Sequence, residues 1–331
     1  MASTSGKMEA SESAASALAD LEAMMLSTDG LGGGVSVVKT APALPTTTPS
    51  KVAVVGKQGP LPIVYAVRTK QYTTDVHKMV VQMRQELGQE SVWVLIEDDG
   101  NNKRDVFPTD DTSQIVKLDE WSCKQLNPRH QRSPWSAETL LTALHQRLPA
   151  DTAHVWLLGD EVRCVGSWAT TFRQASLESQ LAQDPGPRMF DDGTASGRSA
   201  KHADVLSTFV EGQPDAPGWY WWTNGVSCTS EDCMPQLDRR WKLFDPVVRL
   251  SRRMMAALAD HASAGLWTAH GEFLIPTLCR QLGFVLGTVA SVSIGDPFRF
   301  GGQVTSSSEW TAIASQSRLN VLIHPVAPTC Q

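Results

Sequence analysis

Residues 154–168 read HVWLLGDEVRCVGSW: an apolar run, Val155 to Leu158, stops on two adjacent carboxylates, Asp160 and Glu161. Hard oxygen ligands of this kind suit Mn²⁺ or Mg²⁺, with a substrate's phosphates completing the shell. A cation held there neutralises charge that builds up on a departing diphosphate. On an extended strand the two acids would face opposite sides. Both reach one ion only if a turn begins here, and Gly159 eases such a bend. A solvated strand end is the competing reading. A third ligand is available in SRLNVLIHPV, residues 317–326, where a terminal strand delivers His324. A neutral imidazole there completes a set of Asp160, Glu161 and His324; a histidine that simply packs is the alternative.

Five further positions carry chemistry. Glu272 precedes FLIPTLC at the start of a helix and can accept a proton or a hydrogen bond from a hydroxyl nucleophile; favourable placement at the helix N-terminus is the plainer explanation. His270 beside it is a second candidate, on the substrate side. Trp222 closes the aromatic group Trp219, Tyr220, Trp221, Trp222, which offers either a stacking face for a sugar or base, or ordinary packing. Arg68 and Asp98 stand at the ends of two early strands. Arg68 can meet a phosphate or a base, and Asp98 a ribose hydroxyl; a surface ion pair and a turn cap are the alternatives.

The elements that must position these residues follow from periodicity. LPIVYAVRT (61–69), SVWVLIEDDG (91–100), SQIVKLD (113–119) and AHVWLLGDEV (153–162) read as strands. TTDVHKMVVQMRQEL (73–87), capped by Thr74 or Asp75, and SPWSAETLLTALHQRL (133–148), capped by Ser136, read as helices. This alternation predicts a parallel sheet covered on both faces, with ligands beyond the carboxyl ends of its strands. ADVLSTFV (203–210) reads as a further strand. DPVVRLSRRMMAALADHASAG (245–265) and HGEFLIPTLCRQLGF (270–284) read as helices, with Pro276 allowed in a first turn or at a kink. Ser251, Arg252 and Arg253 read as a solvated helix face. Residues 1–50, rich in Ser, Thr, Ala and Gly, read as a disordered tail or linker before one domain over 51–331.

Composition excludes some classes. With a formal net charge of −6 over 331 residues, the chain is not expected to bind nucleic acid. No stretch approaches a membrane span, and the N-terminus lacks a secretory pattern, so a cytoplasmic setting is expected from the chain alone. Six cysteines lack the paired spacing of a zinc site, which leaves free thiols, or a disulfide between Cys228 and Cys233. Phosphate-loop, zinc-protease and nucleophile-elbow motifs are absent, and the glycine-rich stretch near residue 32 has no strand before it.

Taken in order, His154-Val155-Trp156, Asp160-Glu161-Val162, Gly166, Trp168, Ala203-Asp204-Val205-Leu206, Trp219 to Trp222, Arg249 to Arg253, Glu272, Pro276-Thr277-Leu278-Cys279 and His324-Pro325-Val326 resemble the motifs of GT-A-fold glycosyltransferase-like proteins of algae and other eukaryotic microbes. The resemblance spans about residues 60–326. It implies an α/β, Rossmann-like, mostly parallel sheet flanked by helices. The implied activity is metal-dependent transfer of a sugar from a nucleotide-sugar donor to a hydroxyl of a glycan, protein or small molecule. The acidic strand end becomes a DxD-like Mn²⁺ or Mg²⁺ site and Glu272 falls on the acceptor side. The resemblance also makes a Golgi setting compatible with an incomplete chain. Where the pattern has Glu-Asp-Asp, this chain has Gly159-Asp160-Glu161, so a catalytically degenerate sugar-nucleotide-binding protein stands beside the enzyme. A metal-dependent nucleotidyltransferase using the same acids is the third reading.

Overall fold

The structure is a computed structural model. It describes residues 62–98, 113–130, 137–177, 180–181, 203–212, 218–219, 222, 226–228, 240–244, 246–265, 267–289, 294–298, 312, 315, 320–324 and 326. The tail read over 1–50, the cap Ser136, Tyr220, Trp221 and Cys233 lie outside these residues.

In chain order the elements are β1 (Ile63–Thr69), α1 (Thr74–Leu87), β2 (Val92–Asp98), β3 (Ile115–Asp119), α2 (Glu120–Leu126), α3 (Ala137–His145), β4 (His154–Gly159), β5 (Arg163–Val165) and α4 (Trp168–Leu177). Then come β6 (Gln180–Leu181), β7 (Val205–Ser207), β8 (Val210–Gly212), β9 (Ser227–Cys228), β10 (Trp241–Leu243), β11 (Val247–Ser251) and α5 (Arg252–Ala264). The last are β12 (Trp267–Thr268), α6 (Gly271–Gln281), β13 (Leu286–Thr288), β14 (Ile294–Phe298) and β15 (Val321–His324).

Eight strands form one sheet in the order β3-β2-β1-β4-β11-β7-β13-β6. The pairs β3–β2, β2–β1 and β1–β4 are parallel, as is β7–β13. β11 runs antiparallel between β4 and β7, and β6 closes the edge antiparallel to β13. Smaller sheets join β10 to β8, β12 to β9, and β14 to β15 to β5.

Strand side chains alternate between two buried faces, which is why these runs are almost wholly apolar. Val64 and Ala66 of β1, Leu95 of β2, and Val155 and Leu157 of β4 enter one core, with Leu140, Leu141 and Leu144 of α3 and with α5 and α6. Tyr65, Val67, Ile96, Trp156 and Leu158 enter the other, against Met79, Val80 and Met83 of α1 and Phe172 of α4. In that second core Phe172 packs on Tyr65, Trp156 and Trp168, and burial pushes the Tyr65 phenol up to about 12.

The structure corrects three local expectations. Thr73, one residue earlier than expected, caps α1 by accepting from the Val76 N–H. Residues 247–251 are a strand rather than the first turns of a helix; all five are buried, flanked on both sides, and so show no alternation. The helix begins only after Ser251, whose hydroxyl accepts the Met254 N–H at 3.2 Å. Pro276 sits in the second turn of α6, where it has no N–H to give the Glu272 carbonyl. Cys123, Cys164 and Cys279 are free thiols, and the expected Cys228–Cys233 pairing lies outside the described residues. Among the described residues no helix is long and apolar enough to cross a membrane.

Candidate functional site

β1 and β4 run side by side and end together, with Arg68 opposite Gly159. The ladder continues one residue further, as the Asp160 N–H donates to the Arg68 carbonyl at 3.1 Å. The chain then turns, and the Val162 N–H closes back on the Gly159 carbonyl. Arg163, buried against the Met79 sulfur, fixes this turn by donating to the carbonyls of Asp160 (2.6 Å) and Val162 (2.9 Å). Gly159 has no positive φ, so the bend does not depend on glycine. Its N–H donates to the Pro246 carbonyl at 2.8 Å, and a β-carbon added there would rest 3.7 Å from Pro246, an ordinary contact.

The two acids leave this turn toward different partners. Asp160 Oδ2 meets the Thr69 hydroxyl at 2.5 Å, while that same hydroxyl lies 2.7 Å from the Gln71 carbonyl. Thr69 has one proton for two acceptors, so both contacts are satisfied together when Asp160 carries a proton of its own. Burial pushes the Asp160 carboxyl up and the neighbouring Glu161 charge adds to this; Thr69, Arg68 and Arg163 pull the other way. Glu161, largely exposed, faces the buried His324, with Oε2 and Nε2 3.2 Å apart. That hydrogen bond holds the Glu161 carboxyl below the usual range against an opposing burial effect. β15 reaches this place through its antiparallel pairing with β5, and the Val326 N–H donates to the Glu161 carbonyl. The Phe244 ring stands edge-on to His324 at 5.1 Å.

Glu161 and His324, distant in sequence, are therefore brought together, with Asp160 and Arg68 beside them. A closed three-ligand set of Asp160, Glu161 and His324 is not assembled: among the described residues no group of three His, Cys, Asp or Glu side chains is gathered to hold a metal ion. Asp160 is turned to Thr69 because burial favours its partnered form.

The remaining candidates take other places. Asp98, at the end of β2, pairs with Lys117 at 3.0 Å. His270 caps α6, its Nδ1 accepting the Glu272 N–H at 3.2 Å, which assigns the neutral ring's proton to Nε2. Glu272 lies in the first turn of α6, with its carboxylate 3.9 Å from His270 Nδ1 and 14% of its side chain exposed. Trp222 is corrected from a stacking face to a core residue. It is 2% exposed and packs T-shaped with Trp219 and Phe273, so its ring is not open to a sugar. Of the residues read as a solvated helix face, Arg253 is exposed while Ser251 is buried at the end of β11, and both bind the buried Asp204.

Thr69, Arg163 and Phe244 belong to this region and were not singled out in the sequence. Thr69 was detectable as the last residue of β1, next to Arg68. Nothing local marks Phe244, which meets His324 from a distant segment, or the burial of Arg163 against Met79 of α1, which places its guanidinium on the turn.

The chain is thus an α/β protein whose mostly parallel sheet carries a half-buried acid, an exposed acid and a histidine at its carboxyl edge. No protein-family model matches it, and no curated protein matches it. Among solved structures it is similar to the galactosyltransferase LgtC in complex with donor and acceptor sugar analogues, at 11% identity over 70% of this chain and 73% of that one, with a TM-score of 0.33. It is also similar to an active-site mutant of LgtC, at 10% identity over 80% and 87%, with a TM-score of 0.35. Likeness at this level assigns neither a family nor a reaction to this chain.

Proposed function

We propose that this protein is a GT-A-like glycosyltransferase that moves a sugar from a nucleotide-sugar donor to a hydroxyl acceptor, with a divalent cation at the β4 end. The observation that carries the reading is the meeting of Glu161 and His324 at 3.2 Å, beside Asp160 and Arg68, beyond the carboxyl ends of parallel strands. Ligands of open α/β sheets bind in this position, and the ordered motifs of the sequence resemblance lead to the same place.

The donor set fits Mn²⁺ or Mg²⁺. Metal–ligand distances near 2.1 Å in an octahedral shell put neighbouring donor atoms about 3 Å apart, close to the observed separation. Glu161 Oε2 and His324 Nε2 would be the protein ligands, with His324 unprotonated at that nitrogen. Asp160 would join if it turned from Thr69. When bound, the cation supplies charge neutralisation to the departing diphosphate. Arg68 adds a fixed positive charge at the same edge. Arg163 keeps the turn rigid, so that Glu161 loses little freedom on engaging ligand. Glu272 is the residue that orients the acceptor hydroxyl and takes its proton.

Calorimetric titration of Mn²⁺ together with a nucleoside diphosphate tests the reading. Wild type is expected to bind, with affinity reduced tenfold or more in Glu161→Gln and His324→Ala. No binding to wild type, or equal binding to all three proteins, would sink it. Across a panel of donor sugars, Glu272→Gln is expected to bind normally and turn over about 10²–10⁴-fold more slowly.

A second reading, a sugar-nucleotide-binding protein without turnover, is favoured by one observation: Gly159 stands where the resembling pattern has an acid. Turnover by wild type that is lost in Glu272→Gln rules it out.

A further inference from the structure

Glu138, in the first turn of α3, is 1% exposed and far in the chain from the acids described above. Its Oε1 accepts from the Thr268 hydroxyl at 2.5 Å and from Asn127 Nδ2 at 3.3 Å. Its Oε2 is buried and has no hydrogen-bond partner among the described residues. The directions of the surrounding bonds are determined by their donors. Asn127 Oδ1 accepts the Arg129 N–H at 3.0 Å, so its amide donates to Glu138 and to the Thr139 hydroxyl oxygen, 3.4 Å away. Thr139 then donates to His130 Nδ1 at 3.0 Å, which leaves the proton of neutral His130 on Nε2, 3.4 Å from Glu97 Oε1 at the end of β2. Asn127, His130, Thr139 and Thr268 are all buried.

This chain of bonds ties four segments together: the carboxyl end of β2, the α2–α3 connection, α3 and β12. Thr268 is followed two residues later by the α6 cap His270 and four residues later by Glu272. The titratable groups acting on Glu138 are His130, from the connection, and Glu97, from β2; the Cys123 thiol of α2 feels Glu138 in turn. A carboxylate here would keep one oxygen in an apolar interior with no donor, which is strongly unfavourable. A carboxylic acid meets every bond observed: Oε1 is the shared acceptor, and the proton rests on Oε2.

We propose that Glu138 carries a proton in the native protein and acts as a neutral brace, holding the β12–α6 entry to the end of β2, and that ionising it releases this entry. The proton leaves to solvent and the carboxylate must then find water. Both sides enter the same core, Trp267 and Phe273 with Leu140, Leu141 and Leu144, so the release is a local opening of β12, whose ladder with β9 has two pairs among the described residues, against the longer helix α3. Burial pushes the Glu138 carboxyl up, in the direction that keeps the brace closed. The weight of the brace in turnover rests on the reading of Glu272 as the base; the brace itself does not.

Two measurements on the full chain, without substrate, decide it. Infrared difference spectra between wild type and Glu138→Gln at neutral pH are expected to contain the band of one protonated carboxylic acid in wild type. Hydrogen exchange of residues 267–274, corrected for its intrinsic pH dependence, is expected to lose protection in wild type as pH rises through the titration of that band. Glu138→Gln keeps protection at every pH, and Glu138→Ala loses about tenfold or more throughout. Absence of the band, or equal protection in Glu138→Ala and wild type, overturns the proposal. If Glu138→Ala does not fold, Thr268→Val removes only the β12 end of the brace. It is expected to lose protection over 267–274 while the band persists, and unchanged protection overturns the proposal equally. Turnover that survives Glu272→Gln would remove Glu272 as the base and leave these two results intact.

Discussion

At the scale of single residues, the carboxyl edge of the sheet separates two adjacent acids by environment. Asp160 turns inward to Thr69 and Glu161 outward to His324. Because burial raises the Asp160 carboxyl, its ionisation weakens the fold: stability falls as pH rises from the unfolded value of about 3.9 through the folded one. Asp160→Asn keeps a neutral partner for Thr69. It is expected to be within about 1 kcal/mol of wild type at low pH and relatively more stable at pH 8, as read from urea unfolding at both pH values. Gly159 is a second test at this scale. Its backbone is not left-handed and Pro246 leaves room for a β-carbon. Gly159→Glu, restoring the acid of the resembling pattern, is expected to fold normally and to tighten Mn²⁺ binding about tenfold through the added ligand charge. Unchanged affinity in calorimetry would show that position 159 does not face the cation.

At the scale of elements, the antiparallel strand β11 and helix α5 are joined by one clamp. Asp204, 2% exposed, receives the Ser251 hydroxyl at 2.7 Å, the Val285 N–H at 2.9 Å and a two-pronged bond from Arg253, whose guanidinium lies over the Phe284 ring. Burial alone would push this carboxyl up, but the bonds from Arg253, Val285 and Ser251 outweigh it and hold it below the usual range. A depressed folded value gives stability that is present above the unfolded value near 3.9 and is lost as pH falls through the folded one. Wild type should therefore lose stability below about pH 4, and Asp204→Asn should show a shallower acid limb in pH-dependent thermal melts. Asp204→Ala leaves Ser251 and Val285 without their buried acceptor and is expected to cost about 3 kcal/mol. Ser251→Ala removes this bond and the α5 cap together and is expected to cost about 1–2 kcal/mol. Urea unfolding measures both.

At the scale of the whole molecule, the sheet is assembled from distant pairings. β1 pairs with β4 across more than eighty residues, and β15 returns from the end of the chain to β5. Long loops must close before such contacts stabilise anything, which slows folding and favours intermediates in a chain of this size. Pulse-labelled hydrogen exchange during refolding is expected to protect amides of β1, β2 and β4 before those of β5 and β15. If so, the His324–Glu161 pair, the proposed cation site, forms late. Simultaneous protection of all five strands would contradict this order.

The strands β1 to β4, the helices α1 and α3, and the acids at strand ends were legible from local pattern, because a strand buried on both faces and an amphipathic helix each leave a periodic signature. β11 was not: Val247, Val248 and Leu250 precede a helical stretch without a break, and only their burial between β4 and β7 makes them a strand. The sequence by itself determined the α/β class, the turn of an apolar strand into Asp160 and Glu161, and the presence of a late histidine. Only the tertiary structure decided that Glu161 rather than Asp160 meets His324, that Trp222 is core, and that Glu138 is a buried acid braced to Thr268. These depend on which side a residue faces after a turn and on which distant segment packs against it. Such facts are set by long-range packing, which no local spacing encodes.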